Sequence, residues 1–171
     1  MLFRSFTIWL QNTVLFAWLR EQVYGYPITL ASHLVFISLF AAMIVTTDLR
    51  LLGIAFRSYP VSDIVNQLRI PKRIGFVLAA TCGFLLFGIK SEEYYYNFSF
   101  RIKITLFLLV GVHALLFRGP VYNRAAELDG VPPSTKVKLA AVISILLWAG
   151  ILIAGRGIGY IPAPLFSHHF E

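Results

Sequence analysis

Four apolar stretches, Ile28–Val45, Ile74–Ile89, Ile104–Phe117 and Val137–Ala154, divide this chain, each closed by charge, Gly or Pro. The hydrocarbon core of a bilayer, about 30 Å thick, takes roughly 17–25 residues of helix. The two shorter stretches reach that length when Arg73, Lys90, Lys103 and Arg118 extend their charges to the surfaces. The pattern predicts an all-α protein, a four-transmembrane-helix bundle with spans at about 28–47, 73–90, 101–118 and 136–155. Residues 1–171 are expected to form a single integral membrane domain.

Ahead of the first span, Met1–Val23 is apolar enough to pass for a signal peptide or a fifth span. Arg4, Gln11, Asn12 and Arg20 interrupt it, and no small-residue cleavage pattern precedes Tyr24. Arg4, Thr7 and Gln11 share one helical face while Phe6, Trp9, Leu10 and Phe16 lie largely elsewhere. That arrangement predicts an N-terminal interfacial amphipathic helix over residues 2–23. Gly25 and Pro27 then turn the chain into the first span.

The connections carry their own signals. Thr47–Gly53 either prolongs the first helix or starts an interfacial one capped by Thr47 or Asp48. Pro60 followed by Val61, Ile64, Val65 and Leu68 predicts a short amphipathic helix that ends before Pro71. In the third connection, Val121–Leu128 allows one or two helical turns, Gly130 supplies a stop, and Ser134 or Thr135 caps the fourth span.

Composition agrees with membrane residence, since 58% hydrophobic and 13% charged residues leave too little polar surface to cover a water-soluble protein. The formal charge of +7 flanks the apolar segments without forming a stripe, which argues against nucleic acid as a partner. Arg50, Arg57, Arg69, Lys72 and Arg73 in one loop, with Arg118, Arg124, Lys136 and Lys138 in another, outweigh the opposite side's Arg4, Arg20, Lys90, Arg101, Lys103 and Arg156. Both basic loops should face the cytoplasm, leaving both termini outside.

Small residues mark expected helix contacts. Gly75, Ala79 and Gly83 recur every four residues on the second span, as do Ala140 and Ser144 on the fourth. The lipid bilayer is the first partner, and such faces also suit other membrane subunits.

Two ionisable side chains, His33 and His113, are expected well inside the spans, where burying such a group is costly. Helix directions place them roughly 15 Å apart along the membrane normal, too far to share one haem iron. A weaker cofactor arrangement keeps His33 as a haem b ligand or quinone contact with Arg156 in the same leaflet. The alternative is a neutral imidazole hydrogen-bonded to a neighbouring helix. His113 fits the second description, and Asp48 with Arg50 reads as a helix-end charge pair. No catalytic or metal-ligating pattern emerges: Glu92 and Glu93 read as a solvated edge, His168 and His169 as a weak metal pair. Asn97-Phe98-Ser99 is a chance-prone glycosylation match. Cys82 is expected to be a small packing residue.

Tyr26-Pro27 followed by His33, Thr47-Asp48-Leu49-Arg50-Leu51-Leu52-Gly53, and Ser144-Ile145-Leu146-Leu147-Trp148 running to Gly155-Arg156 together resemble a family of small four-helix bacterial membrane proteins of unassigned function. The resemblance implies a bacterial inner-membrane protein with a recurrent polar set of His33, Asp48, Arg50, Trp148 and Arg156; in that membrane the charge bias of the loops makes both termini periplasmic. Two function classes follow. The first is a non-catalytic integral subunit of a larger membrane complex, packing through its small-residue faces. The second is an electron-transfer protein binding b-type haem or quinone through His33.

Overall fold

A computed structural model describes residues 2–117 and 123–161. The described chain is helical: α1 (Leu2–Gln11), α2 (Val14–Glu21), α3 (Gly25–Leu51), α4 (Val61–Ile89), α5 (Ser91–Tyr96), α6 (Phe98–Phe117), a 3-10 turn at Ala125–Leu128, and α7 (Thr135–Gly157). The helices α3, α4, α6 and α7 are long and apolar enough to cross a bilayer, so this is a multi-pass membrane protein. Their outward faces carry Leu108, Leu115, Leu146 and Ile153, all exposed, as lipid contact requires. Because the spans alternate in direction, both ends of the described chain lie at one end of the bundle, called here the terminal end; the α3–α4 and α6–α7 connections form the loop end.

The N-terminal segment is two helices where the sequence predicts one. Asn12 and Thr13 break it: Thr13 is extended (φ −65°, ψ 151°), and its hydroxyl donates to Leu10 O at 2.8 Å. A side chain that bonds the backbone locally competes with helix continuation. The polar stripe of α1 faces the protein. Ser91 Oγ donates to Thr7 O at 2.6 Å, and Glu92 N donates to Gln11 Oε1 at 3.2 Å. Phe6 and Trp9 point outward. This inverted helix suits the rim of a membrane, where the outer medium is apolar. At the entry to α3, the Leu19 carbonyl oxygen would stand 2.1 Å from a Cβ on Gly25, so only glycine fits that turn.

Thr47–Leu51 prolongs α3 beyond the apolar stretch. The helix closes in a Schellman motif: Ile54 N bonds Leu49 O, Gly53 N bonds Arg50 O, and Gly53 takes φ +70°. The expected break before Pro71 does not occur, and α4 runs through it from Val61 to Ile89. Proline removes one helical hydrogen bond, but Gln67, whose carbonyl loses its donor, is exposed. Meanwhile Val61 and Val65 anchor the first turns against Leu51, Ala125, Val137 and Ala141. Burial of those side chains, worth roughly 1.5–3 kcal/mol each, exceeds one solvated carbonyl. Ser134 caps α7, its side chain accepting from Val137 N at 3.5 Å, and Gly130 (φ +70°) ends the preceding turn. Arg118, the start of the expected Val121–Leu128 turn, and His168 and His169 lie outside the described residues.

Around the bundle, α4 packs on α3, α3 on α7, and α7 on α6. The circuit is completed by aromatic rings. Phe40 of α3 meets Trp148 of α7 at 5.1 Å; Trp148 meets Phe107 of α6 at 6.0 Å; Phe107 meets Phe76 of α4 at 6.2 Å; and Phe76 returns to Phe40 at 5.8 Å. One ring from each span thus forms an apolar layer across the bundle, with Ile37, Ala41, Ala79 and Ile151 packed around it. Polar side chains gather on either side of that layer.

Candidate functional site: a cleft and a chamber that meet at His33

On the terminal-end side of the aromatic layer, α3 points His33 into the bundle, where only 8% of the residue is exposed. Its Nδ1 lies 2.9 Å from the carbonyl oxygen of Ala79 on α4. A carbonyl only accepts, so Nδ1 carries the proton and the ring is a neutral tautomer with a lone pair on Nε2. That lone pair faces Lys103 Nζ of α6 at 3.4 Å. Lys103 was read from the sequence as a surface anchor; the structure turns it inward. Gly83 lets the ring approach α4, since a Cβ there would be 3.0 Å from His33 Cε1. On the far side Lys103 packs against Gly155 of α7, with Nζ in ordinary contact distance, 3.5 Å, of where a Cβ would stand.

Two cavities meet at this pair. A chamber of about 690 Å³ opens toward the terminal end, lined by Tyr26, Lys90, Glu93, Tyr94, Arg156 and the apolar Leu30, Leu86 and Ile151. A second cavity of about 670 Å³ lies between α4 and α6, lined by Phe40, Phe76, Phe84, Phe87, Phe100 and Phe107. His33, Gly83, Phe100 and Lys103 line both. Exposed Phe76, Phe84, Ile104 and Thr105 edge the second cavity, so it is a lateral cleft that opens on the apolar surface of the bundle. The cleft exists because α4 and α6 approach through stacked rings, Phe87 on Phe100 at 5.4 Å, in place of close backbone contact.

Arg156 shares the chamber with His33. Its guanidinium sits over the Tyr160 ring at 4.9 Å and donates to Tyr160 Oη at 2.6 Å. Tyr94 and Tyr26 hydroxyls are 3.4 Å apart; burial first, then the Tyr26 hydrogen bond, push the Tyr94 phenol well above its usual range, so it stays a hydroxyl. Asn97 secures the rim: Oδ1 accepts from Phe100 N at 3.0 Å, and Nδ2 donates to Ile161 O at 2.8 Å. Both halves of the amide in the glycosylation match are thus engaged, and the residue is buried.

The expected contact residues face neighbouring helices. A Cβ on Gly75 would stand 3.1 Å from Met43 Cε of α3; Ala79 and Ala140 are buried, and Ser144 turns toward Asp48. His113 lies ten residues along α6 from Lys103, roughly 15 Å at about 1.5 Å per residue. Its Nε2–H donates to Ala140 O at 3.0 Å, so it does not approach His33. No second imidazole completes an axial haem pair around His33 among the described residues, and no three His, Cys, Asp or Glu side chains gather there as metal ligands.

Beyond the aromatic layer, at the loop end, the structure corrects the pairing of Asp48 with Arg50. Arg50 Nε donates to Tyr59 O at 2.8 Å. Asp48 is buried in the bundle, with the Ser144 side chain of α7 and the charge of Lys72 of α4 acting on it. Lys72 Nζ donates to Thr47 Oγ1, whose own proton goes to Met43 O at 3.1 Å. Sequence reading did not connect these residues, because Thr47, Asp48 and Lys72 fall at the ends of apolar stretches and Ser144, inside one, reads as a packing residue.

A family model described as "Family of unknown function (DUF6644)" matches residues 9–161. No curated protein and no solved structure matches the chain.

Proposed function

We propose, for a chain that belongs to this DUF6644 family, that it is an integral membrane protein binding an isoprenoid quinone, within a larger bacterial inner-membrane complex and with both termini periplasmic. One observation carries the reading: a laterally open aromatic cleft and a polar chamber share His33 and Lys103 as their common wall. A lipid-soluble molecule enters such a cleft from the bilayer without crossing water, and its apolar tail replaces lipid contacts along Phe76, Phe84 and Phe107. The head then meets the Lys103 ammonium. With one Lys103 proton directed at His33 Nε2, the remaining N–H groups are available to a quinone carbonyl in the chamber, a charge-assisted hydrogen bond. Arg156 and the Tyr94 hydroxyl add donors toward the far carbonyl. Haem is the weaker candidate, because His33 Nε2 is turned to an ammonium and no imidazole among the described residues opposes it.

The test is equilibrium binding of a short-chain quinone to the purified protein in detergent, with organic extraction of the preparation for endogenous quinone. Loss of a charge-assisted hydrogen bond costs about 1.5–3 kcal/mol, so Lys103→Met should weaken binding by about tenfold or more. Leu115→Ala on the outer face of α6 should leave it unchanged. Equal binding by Lys103→Met and the parent, or a Soret band in the parent, would overturn the reading.

A further inference from the structure

The loop-end group of Asp48, Thr47, Lys72 and Ser144 is separate from the quinone cavities, and the aromatic layer stands between them. From His33 to Asp48 α3 advances fifteen residues, roughly 22 Å at about 1.5 Å per residue, so the two sites occupy opposite halves of the bundle. Asp48 is 2% exposed. The Ser144 side chain of α7 acts on the carboxyl, but among the described residues Oδ2, fully buried, has no hydrogen-bond partner.

An ionised carboxylate with an orphaned oxygen is among the costliest groups a membrane interior can hold. Two changes relieve it: a proton on the carboxyl, or a compensating cation. Lys72 is already that cation: its charge acts on Asp48, and its ammonium is held by the hydroxyl of the adjacent Thr47. The position a metal ion would take next to Thr47 Oγ1 is therefore filled by an N–H donor. What remains exchangeable is a proton, which can pass between Lys72 and Asp48 while the pair keeps its total charge, or join the pair from solution and leave it with one positive charge more.

We propose that Asp48 is a proton-exchange site serving the loop-end half of the membrane, with Lys72 as its partner base and Ser144 as the donor that orients the carboxyl. Access runs along α4 from Lys72 to exposed Arg69, three residues nearer the loop end. Among the described residues, the groups facing Asp48 are few. Lys72 comes from α4 and Ser144 from α7. His113 of α6 bonds Ala140 O, one turn along α7 toward the loop end from Ser144. Arg50 on α3 itself is turned to Tyr59 O. The aromatic layer closes the route in the other direction.

The experiment is infrared titration of the full-length protein in lipid vesicles with carboxyl-13C aspartate incorporated. The chain has aspartate only at 48, 63 and 129; Asp63 is exposed, and Asp129 lies in a surface loop. The expected result is a carbonyl stretch of a non-aqueous carboxylic acid, shifted by the isotope, which appears reversibly as pH falls and is lost in Asp48→Asn. Lys72→Met should displace the titration by at least a tenfold change in proton concentration. The wild-type titration alone keeps the proposal open to refutation should either variant fail to fold. Absence at every pH of the isotope-shifted non-aqueous acid band, as distinct from the hydrated acid bands of Asp63 and Asp129, would overturn it. Suppression of the band by sodium at constant pH would overturn it in favour of a metal-cation site.

Discussion

The ring of His33 closes on the backbone of Gly83, so that a methyl group built there would stand 3.0 Å from Cε1 and 3.4 Å from Nδ1. Gly83→Ala should therefore push the ring by a few tenths of an ångström, lengthening the bond to Ala79 O and turning Nε2 from Lys103. We expect a destabilisation of about 1 kcal/mol and weaker quinone binding, with the secondary structure intact. Thermal unfolding in detergent and quinone titration on one preparation check both. Parent-like behaviour in the two measurements would mean that the ring position has no bearing on the site.

Gly88 makes a still tighter contact, with Phe16 Cε1 at 2.2 Å from where its Cβ would be. Gly88→Ala should lift α2 from the end of α4 at a cost of about 1–3 kcal/mol. Phe16→Ala in the same chain should recover part of that loss by removing the obstructing ring. Limited proteolysis between α2 and α3 reports the displacement. An additive double variant would sink the contact as the cause.

Asp129 supplies a cap from across the chain. Pro60 has no side-chain oxygen to cap α4, and Ser62 N donates instead to Asp129 Oδ1 at 3.0 Å. The Ser62 hydroxyl first, then that N–H, hold the Asp129 carboxyl below its usual 3.8. A carboxyl lowered by folding stabilises the fold above 3.8, and that contribution disappears as pH falls below it. Protection of the Ser62 amide, corrected for intrinsic exchange, should fall over that acid range. In Asp129→Ala it should be low throughout. Protection that persists unchanged in the variant would rule out the cap.

The basic loops predict a cytoplasmic loop end. Ser91, although at the right end to report on topology, is fully buried under α1, so better sites are Val23, 82% exposed, and the exposed Ser58. In a Cys82→Ala background, cysteine introduced at Val23 should react with a membrane-impermeant maleimide in intact spheroplasts, and at Ser58 only after lysis. The reverse pattern would invert the orientation.

Hydrophobic runs made four spans legible, because lipid exposure demands long uninterrupted apolar surface. Ends were harder to read. Pro71 reads as a stop, yet tertiary burial of Val61 and Val65 carries α4 through it. His33 stood out because an imidazole among Leu, Val and Phe has no local explanation. Lys103 did not, since a lysine five residues into a span serves equally as an anchor or an inward donor; the choice rests on His33 of α3, 70 positions away in the chain. Asp48 was obscured in the same way. Its partners Lys72 and Ser144 sit on other helices, and rotation of those helices is set by packing that a single sequence does not display. The ring of Phe40, Phe76, Phe107 and Trp148 is another product of register, which none of the four stretches displays by itself.

That ring also decides where voltage falls across the protein. Polar side chains and water carry field poorly compared with a thin dry layer, so most of the membrane potential should drop near the four rings. An elementary charge crossing the whole drop exchanges about 2.3 kcal/mol per 100 mV. A proton passing between the loop-end solution and Asp48 crosses little of it, and one reaching the chamber from the terminal end likewise. The chemistry at each end is thereby tied to the acidity of its own compartment and insulated from the electrical state of the membrane.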